Sequence, residues 1–170
     1  LSGVVAERQA PQASIRAAER ADLALLIAMF NELADYEHLS GVMVADEESL
    51  GRALFGERPA AEALIAEVGG DAAGYAVFFP TFSTFRANQG IWLEDLFVRP
   101  AHRRAGVGRA LLSAVAAQLR DRGGERLEWS ALTWNELALG FYQGIAAERM
   151  DDWVTHRLIG DDLERLAETP

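Results

Sequence analysis

The chain has 170 residues, half of them hydrophobic, and its 26 acidic and 16 basic residues give a net charge of −10. That length and apolar content suit one domain with a sizeable core and exclude general disorder. The acidic balance argues against a nucleic-acid surface and is compatible with attracting a cationic partner. With no cysteine in the sequence, a disulfide, a cysteine–zinc site and a thiol nucleophile are excluded, which fits a cytoplasmic protein.

Residues 1–13 show no clean period and read as a loose N-terminal arm, with one domain over 14–170. No signal-peptide pattern is visible, and the first residue, Leu1, leaves the natural start open. No apolar run approaches the roughly 18 residues that a membrane span needs. Residues 14–17 read as a first strand. Asp22 is positioned to cap a helix in which Leu23, Leu26, Ile27, Phe30, Leu33 and Ala34 recur at helical spacing up to Tyr36. Asp46 can cap a second helix carrying Leu50, Ala53 and Leu54, which Gly56 and Pro59 stop. Residues 63–68 and 72–79 read as a hairpin about Gly69-Gly70-Asp71. Residues 80–89, polar with Phe82 and Phe85, read as a long connecting loop.

Next comes the most informative stretch, residues 91–109. Residues 91–98 are a strand, Pro100 ends it, and His102-Arg103-Arg104 forms a short basic loop. Gly106-Val107-Gly108 then opens a helix with Val107, Ala110, Leu111, Ala114, Val115 and Leu119 on one face. The first turn of a helix has unpartnered N–H groups and partial positive charge, and glycines let an anion approach the backbone. Arg103, Arg104 and Arg109 add charge, so a diphosphate is the natural ligand. A plain strand–turn–helix with solvated arginines is the alternative reading. No Gly-Lys-Ser/Thr follows, and Leu111 stands where a Rossmann loop needs glycine.

Gly123-Gly124 closes this helix. Residues 126–131 read as a strand, and Trp134-Asn135-Glu136 starts a helix with Leu137, Phe141 and Ile145 on one face. Residues 153–159 alternate as a strand, and Asp161 can cap a last helix to about Ala167. His38, His102 and His156 form no ligand motif, so no metal is expected. The order of elements gives an α/β class, one sheet with helices on both faces.

Arg103-x-x-Gly106-x-Gly108 after a strand resembles the acetyl-CoA pyrophosphate loop of the GNAT N-acetyltransferase superfamily. Glu32-Leu33-Ala34-x-Tyr36-Glu37, Leu93-Glu94-Asp95-Leu96-Phe97-Val98 and Trp134-Asn135-Glu136 with Phe141-Tyr142 extend the likeness to its diamine (spermidine/spermine) and thialysine acetyltransferase branch. The resemblance implies a mixed, mostly antiparallel sheet flanked by helices, acetyl-CoA as cosubstrate, a small amine substrate and a homodimer. It implies that Leu96, Phe97 and Val98 present backbone to the pantetheine arm. Arg103, Arg104, Ala105, Gly106, Val107, Gly108 and Arg109 would hold the pyrophosphate. Asn135, Glu136, Leu137, Ala138 and Ile145 would lie beside CoA. Tyr142 takes the general-acid position and Glu94 the amine-binding and base position. Tyr36, Glu37, Asp95, Glu128, Trp129 and Ser130 would contact the substrate.

Two departures stand out. Ser83-Thr84-Phe85 replaces the Asp-Pro-Trp of the polyamine enzymes, which weakens the case for a substrate with a second, distant cation. Ala146 replaces a glycine four residues after the tyrosine.

The chemistry fits these residue types. An alkyl amine is only about 0.1% free base at neutral pH, so a carboxylate or a water chain must take its proton. On a regular strand Glu94 and Asp95 point to opposite faces, and only one reaches a cleft unless a bulge intervenes. The resemblance, which places Glu94 at the amine, implies Glu94 as base with Asp95 behind it. A backbone N–H near Leu96 or Phe97 would stabilise the oxyanion, and Tyr142 would protonate the departing thiolate. The competing readings are a non-catalytic acyl-CoA or polyamine sensor and a protein N-acetyltransferase.

Overall fold

The computed structural model describes residues 12–169; residues 1–11, most of the expected arm, lie outside the described residues. The chain forms two compact units, Leu1–Ser130 and Ala131–Pro170.

The first unit is built on five strands, β1 (Ser14–Ala17), β2 (Glu62–Val68), β3 (Asp71–Ser83), β4 (Asn88–Val98) and β5 (Arg126–Trp129), lying side by side in that order. All neighbours are antiparallel except β4 and β5, which are parallel. That exception follows from the connection. Antiparallel strands need only a turn, whereas α3 (Val107–Asp121) crosses between β4 and β5 and forces them parallel.

Alternation along the strands supplies two apolar faces. Ala63, Ile65, Tyr75, Val77 and Phe97 pack with Leu23, Leu26 and Met29 of α1 (Leu23–Tyr36) and with Leu50 and Leu54 of α2 (Glu47–Phe55). Leu64, Ala66, Ala76, Phe78, Ile91 and Leu93 are the buried residues of opposite parity, and α3 packs over β3 and β4 with Val107, Leu111, Val115 and Leu119 buried. Each such large apolar side chain contributes about 1.5–3 kcal/mol on burial.

Local signals set most boundaries. Asp46 accepts from the Ser49 N–H at 2.8 Å while Ser49 Oγ accepts from the Asp46 N–H at 3.0 Å, a reciprocal cap on α2. Asp22 does not cap α1; its carboxylate accepts from the Glu19 N–H and from Arg16 instead. Gly123 ends α3 at φ 74°.

Two further expectations fail. The loop expected at 80–89 is mostly strand: β3 continues to Ser83 and β4 begins at Asn88, leaving only residues 84–87 to turn. Pro80 is tolerated there because β2 pairs with β3 only as far as Phe78. Beyond Phe78, β3 pairs only with β4, and a missing N–H on the other side breaks no ladder bond. The strand expected at 153–159 does not form. Trp153, Val154 and Ile159 are exposed, and a strand without a neighbour has no partners for its backbone.

The second unit contains α4 (Glu136–Gly144) and α5 (Gly160–Ala167). After α4, Ala146 adopts a left-handed conformation at φ 59°, the conformation that glycine tolerates best. Ala146→Gly is therefore expected to raise stability by about 1 kcal/mol, read as a higher urea midpoint at unchanged slope.

Candidate active site

β4 is irregular at one point. Val77 pairs with Asp95 and Phe78 with Leu93, so Glu94 is an extra residue with no partner on β3. This bulge cancels the alternation that would have separated the two acids. Trp92 Nε1 donates to Glu94 Oε2 at 3.0 Å, keeping these two on one face. Asp95 lies on the face of α1, where the Tyr75 hydroxyl donates to its Oδ2 at 3.4 Å. Tyr75 is fully buried between the rings of Phe30 and Phe97, at 4.9 and 5.8 Å. The expectation that only one acid faces the cleft is thereby corrected: the bulge turns both toward the α1 side.

The acids act on one another. Burial first, then the charges of Glu94 and Glu37, push the Asp95 carboxyl up to about 6, while the Tyr75 hydrogen bond opposes the shift. Burial also raises Glu37. Tyr75 is raised by its burial and by the Asp95 charge. Glu37, Glu94 and Asp95, expected from different segments, thus come within electrostatic reach of one another, while Tyr36, the residue before Glu37, packs against Arg103. These acids, half-buried at Glu37 and Asp95 and exposed at Glu94, make a negative region suited to a cation.

The bulge coincides with a parting of strands. β5 pairs with β4 only from Gly90↔Arg126 to Leu93↔Trp129. From Glu94 to Val98 the far edge of β4 has no ladder partner among the described residues; Val98 O accepts from Arg103 Nε, and the other outward N–H and C=O groups can meet an extended ligand. Leu96 and Val98 turn their backbone groups to this edge, whereas Phe97, expected to offer backbone there, pairs with Tyr75 and turns its own groups to β3, with its side chain in the core.

Beyond Val98 the basic loop leads into α3. Arg104 and Gly106 are left-handed, at φ 63° and 80°, and turn the chain onto the helix axis. The Ala110 N–H is bonded to Gly106 O. Those of Val107, Gly108 and Arg109 belong to the first turn, which has no intrahelical acceptors for them. No acidic residue occupies that turn, leaving the positive end of the dipole uncompensated. A Cβ at Gly108 would meet only Val98 Cγ2, at an ordinary 3.6 Å, so the protein's own packing does not require glycine there. Ala105, Arg104 and Arg109 are exposed. These features fit a pyrophosphate. Arg103 differs: its Nε donates to Val98 O at 2.9 Å and its guanidinium lies 4.8 Å from the centre of the Tyr36 ring.

Glu128 on β5 pairs with Arg126 at 2.7 Å rather than joining the acidic cluster, Trp129 stands in register with Leu93, and exposed Ser130 follows the strand. In the second unit, Asn135 caps α4 by accepting from the Ala138 N–H at 3.2 Å. Glu136 and Leu137 are exposed in its first turn, and half-buried Ile145 follows its last. Phe141 and Tyr142 contact each other with centroids 5.4 Å apart. Among the described residues no group of three or more His, Asp or Glu could hold a metal ion, and no helix is long and apolar enough to cross a membrane.

Sequence reasoning missed two supports. Glu32 receives a fork from Arg99, with contacts of 2.7–3.1 Å, and Arg99 Nη1 also donates to Ala72 O at 2.9 Å, tying α1 to β3 and β4. Tyr75 was the other; a lone hydroxyl within the apolar run 72–79 was the available signal.

A five-stranded sheet parting at a bulge, with a glycine loop on a helix N-terminus beside the parting, defines an acyl-CoA-dependent acyltransferase. The chain belongs to the acetyltransferase (GNAT) family, whose match covers residues 26–145, and it is an N-acetyltransferase. It is 34% identical over 146 residues to the thialysine N-epsilon-acetyltransferase of Caenorhabditis elegans, covering 84% of this chain and 89% of that one. It is 42% identical over 94 residues to the L-ornithine N5-acetyltransferase NATA1 of Arabidopsis thaliana, covering 55% of this chain and 41% of that longer relative. Among solved structures, an integron cassette protein from the mobile metagenome of V. cholerae superposes with a TM-score of 0.77 at 25% identity, covering 92% of this chain and 98% of that one. Members of the family use acetyl-CoA as cosubstrate.

Proposed function

We propose that this enzyme acetylates the terminal primary amine of a short cationic substrate, an ornithine- or thialysine-like amino acid or a short diamine. The bulge that turns Glu94 and Asp95 to one face near Glu37 carries the proposal. Two half-buried carboxylates beside an exposed one suit an ammonium group and offer it a proton acceptor. The relatives named for thialysine and ornithine acetylation support the same substrate class. At the β3–β4 turn, Ser83 is buried, Phe85 is exposed and Arg86 is paired with Glu125. No carboxylate stands at 83–85 to receive a second, distant cation, which disfavours long polyamines.

In the proposed mechanism the ammonium is held by Asp95 and Glu37 and gives its proton to Glu94, directly or through water. The free amine attacks the thioester carbonyl of acetyl-CoA, whose pantetheine arm runs along the open edge of β4. The oxyanion accepts a hydrogen bond from a backbone N–H near Leu96, whose backbone faces the open edge, a contribution of roughly 3 kcal/mol. Collapse breaks the C–S bond, and Tyr142 protonates the departing thiolate. Arg104, Arg109 and the first turn of α3 hold the pyrophosphate, with Asn135, Glu136, Leu137 and Ala138 beside CoA. We read residues 14–170 as one acetyltransferase domain, supported by a family match extending on both sides of residue 130. We also read the chain as a cytoplasmic homodimer: the lack of cysteine suits a reducing compartment, and exposed Trp153, Val154, Ile159 and Leu166 suit burial by a second copy.

The test is CoA-thiol release from acetyl-CoA with thialysine, ornithine, lysine, short diamines, spermidine and a basic peptide. Turnover is expected with one of the short amines, and Glu94→Gln should lower it by about 10²–10⁴-fold. Turnover with the peptide alone, or acetyl-CoA binding without turnover on any amine, would overturn the reading.

A further inference from the structure

Of the arginines around the basic loop, Arg103 is turned inward while Arg104 and Arg109 are exposed. We propose that Arg103 is a positioning residue that ties the CoA edge to the amine side, joining Val98 at the end of β4 to Tyr36 at the end of α1. This inference deepens the functional proposal above and rests on it for the assignment of the two sides.

Arg103 is half-buried, whereas Arg104 and Arg109 are exposed. Its Nε is used on Val98 O at 2.9 Å, the last carbonyl of the strand edge offered to pantetheine. Its guanidinium face is used on the Tyr36 ring at 4.8 Å. The planar fork does both at once, which a lysine ammonium cannot. α1 has no basic residue in its last turn, so Arg103 also brings the cation that a helix C-terminus favours. The next residue, Glu37, is one of the carboxylates acting on Asp95. His38 then turns the chain at a left-handed φ of 61°, and the N–H groups of Glu37, His38 and Leu39 donate to Leu33 O, Asp35 O and Ala34 O, closing the helix end against which Arg103 packs. Arg99 next to Val98 already grips Glu32 earlier on α1, and Arg103 adds the contact to the helix's last residue, so a ligand that orders Val98 and the loop acts on Tyr36 and Glu37 through Arg103. Binding of CoA prepares the amine side, and by linkage the amine strengthens CoA binding.

The experiment needs no amine and no turnover. Amide hydrogen exchange is followed over residues 33–39 with and without saturating CoA, while calorimetry gives CoA affinity. In the wild type, CoA is expected to slow exchange there at least about fivefold, the lower end of ordinary coupling. Arg103→Met, which keeps the aliphatic stem, should bind CoA nearly as well and lose that protection. Arg103→Lys should keep part of it, since a cation remains over the ring. Tyr36→Leu, which cuts the same tie from the other end and leaves the loop intact, should lose it as well. Arg104→Met and Arg109→Met should weaken CoA binding yet show full protection at saturation. The proposal is overturned if CoA gives no protection at 33–39 in the wild type. It is equally overturned if Arg103→Met or Tyr36→Leu retains that protection, or if Arg103→Met loses CoA affinity as strongly as the Arg104 and Arg109 variants. A failed amine panel with intact CoA-dependent protection would sink the substrate assignment and leave the tie standing.

Discussion

Asp95→Asn is expected to make the protein more stable at neutral pH and much less active. The Asp95 carboxyl rises from 3.8 to about 6 on folding, chiefly through burial and then through the charges of Glu94 and Glu37. The folded state therefore holds the proton more tightly than the unfolded chain does. Below about pH 4 both states are protonated and the group costs nothing. As pH rises from about 4 to 6 the unfolded chain releases its proton first, and stability falls. Above about 6 the loss is complete, on the order of 3 kcal/mol for a shift of this size. Asparagine removes the charge, keeps the shape and still accepts from Tyr75. Its melting temperature at pH 7 should rise by several degrees, and the fall in stability between pH 4 and 6 should flatten. The acid limb of the kcat/KM profile should go with it, because the wild-type pair needs an ionised carboxylate to receive the ammonium. Thermal melts across pH 4–8 beside the rate profile decide this. A variant that melts no higher at pH 7 and keeps its acid limb would remove Asp95 from the site. Glu94→Gln supplies the control: without its charge the Asp95 titration, followed by carboxyl NMR, should move to lower pH.

The second large effect belongs to Tyr142. Tyr142→Phe is expected to lower kcat by about 10²-fold while leaving KM for acetyl-CoA within about a factor of two. The substitution keeps the ring that contacts Phe141 at a 5.4 Å centroid distance, so the fold of α4 should be unaffected by circular dichroism. If the hydroxyl delivers the proton to the thiolate, its loss is felt only in the chemical step. Unchanged kcat with lowered stability would instead make Tyr142 a packing ring.

The pH behaviour also places a limit on what local pattern could say. A reading of β4 as a regular strand separates Glu94 from Asp95 and makes one of them the base. The bulge is set by how β4 registers against β3, and Leu93, Glu94 and Asp95 bear no mark of it. Likewise Arg103 reads as one more cation of a phosphate loop. Only the approach of Tyr36, contributed 67 residues earlier in the chain, gives it a different task. The exposed residues 153–159 fail in the opposite direction, since alternation names a face for a strand without supplying a neighbour.

Short-range physics was legible in the sequence by itself: caps such as Asp46, the turn at Gly69-Gly70, the helix periods, and a glycine loop between a strand and a helix N-terminus. Each depends on residues a few positions apart, so composition and spacing suffice. Family membership was legible too, because its motifs lie within such short stretches. Only the tertiary structure decided the register that bulges β4, the parting of β4 from β5 and the raised Asp95 carboxyl. It also placed Arg103 between Val98 and Tyr36. These depend on which distant segments pack together, and burial and through-space charge are properties of that packing.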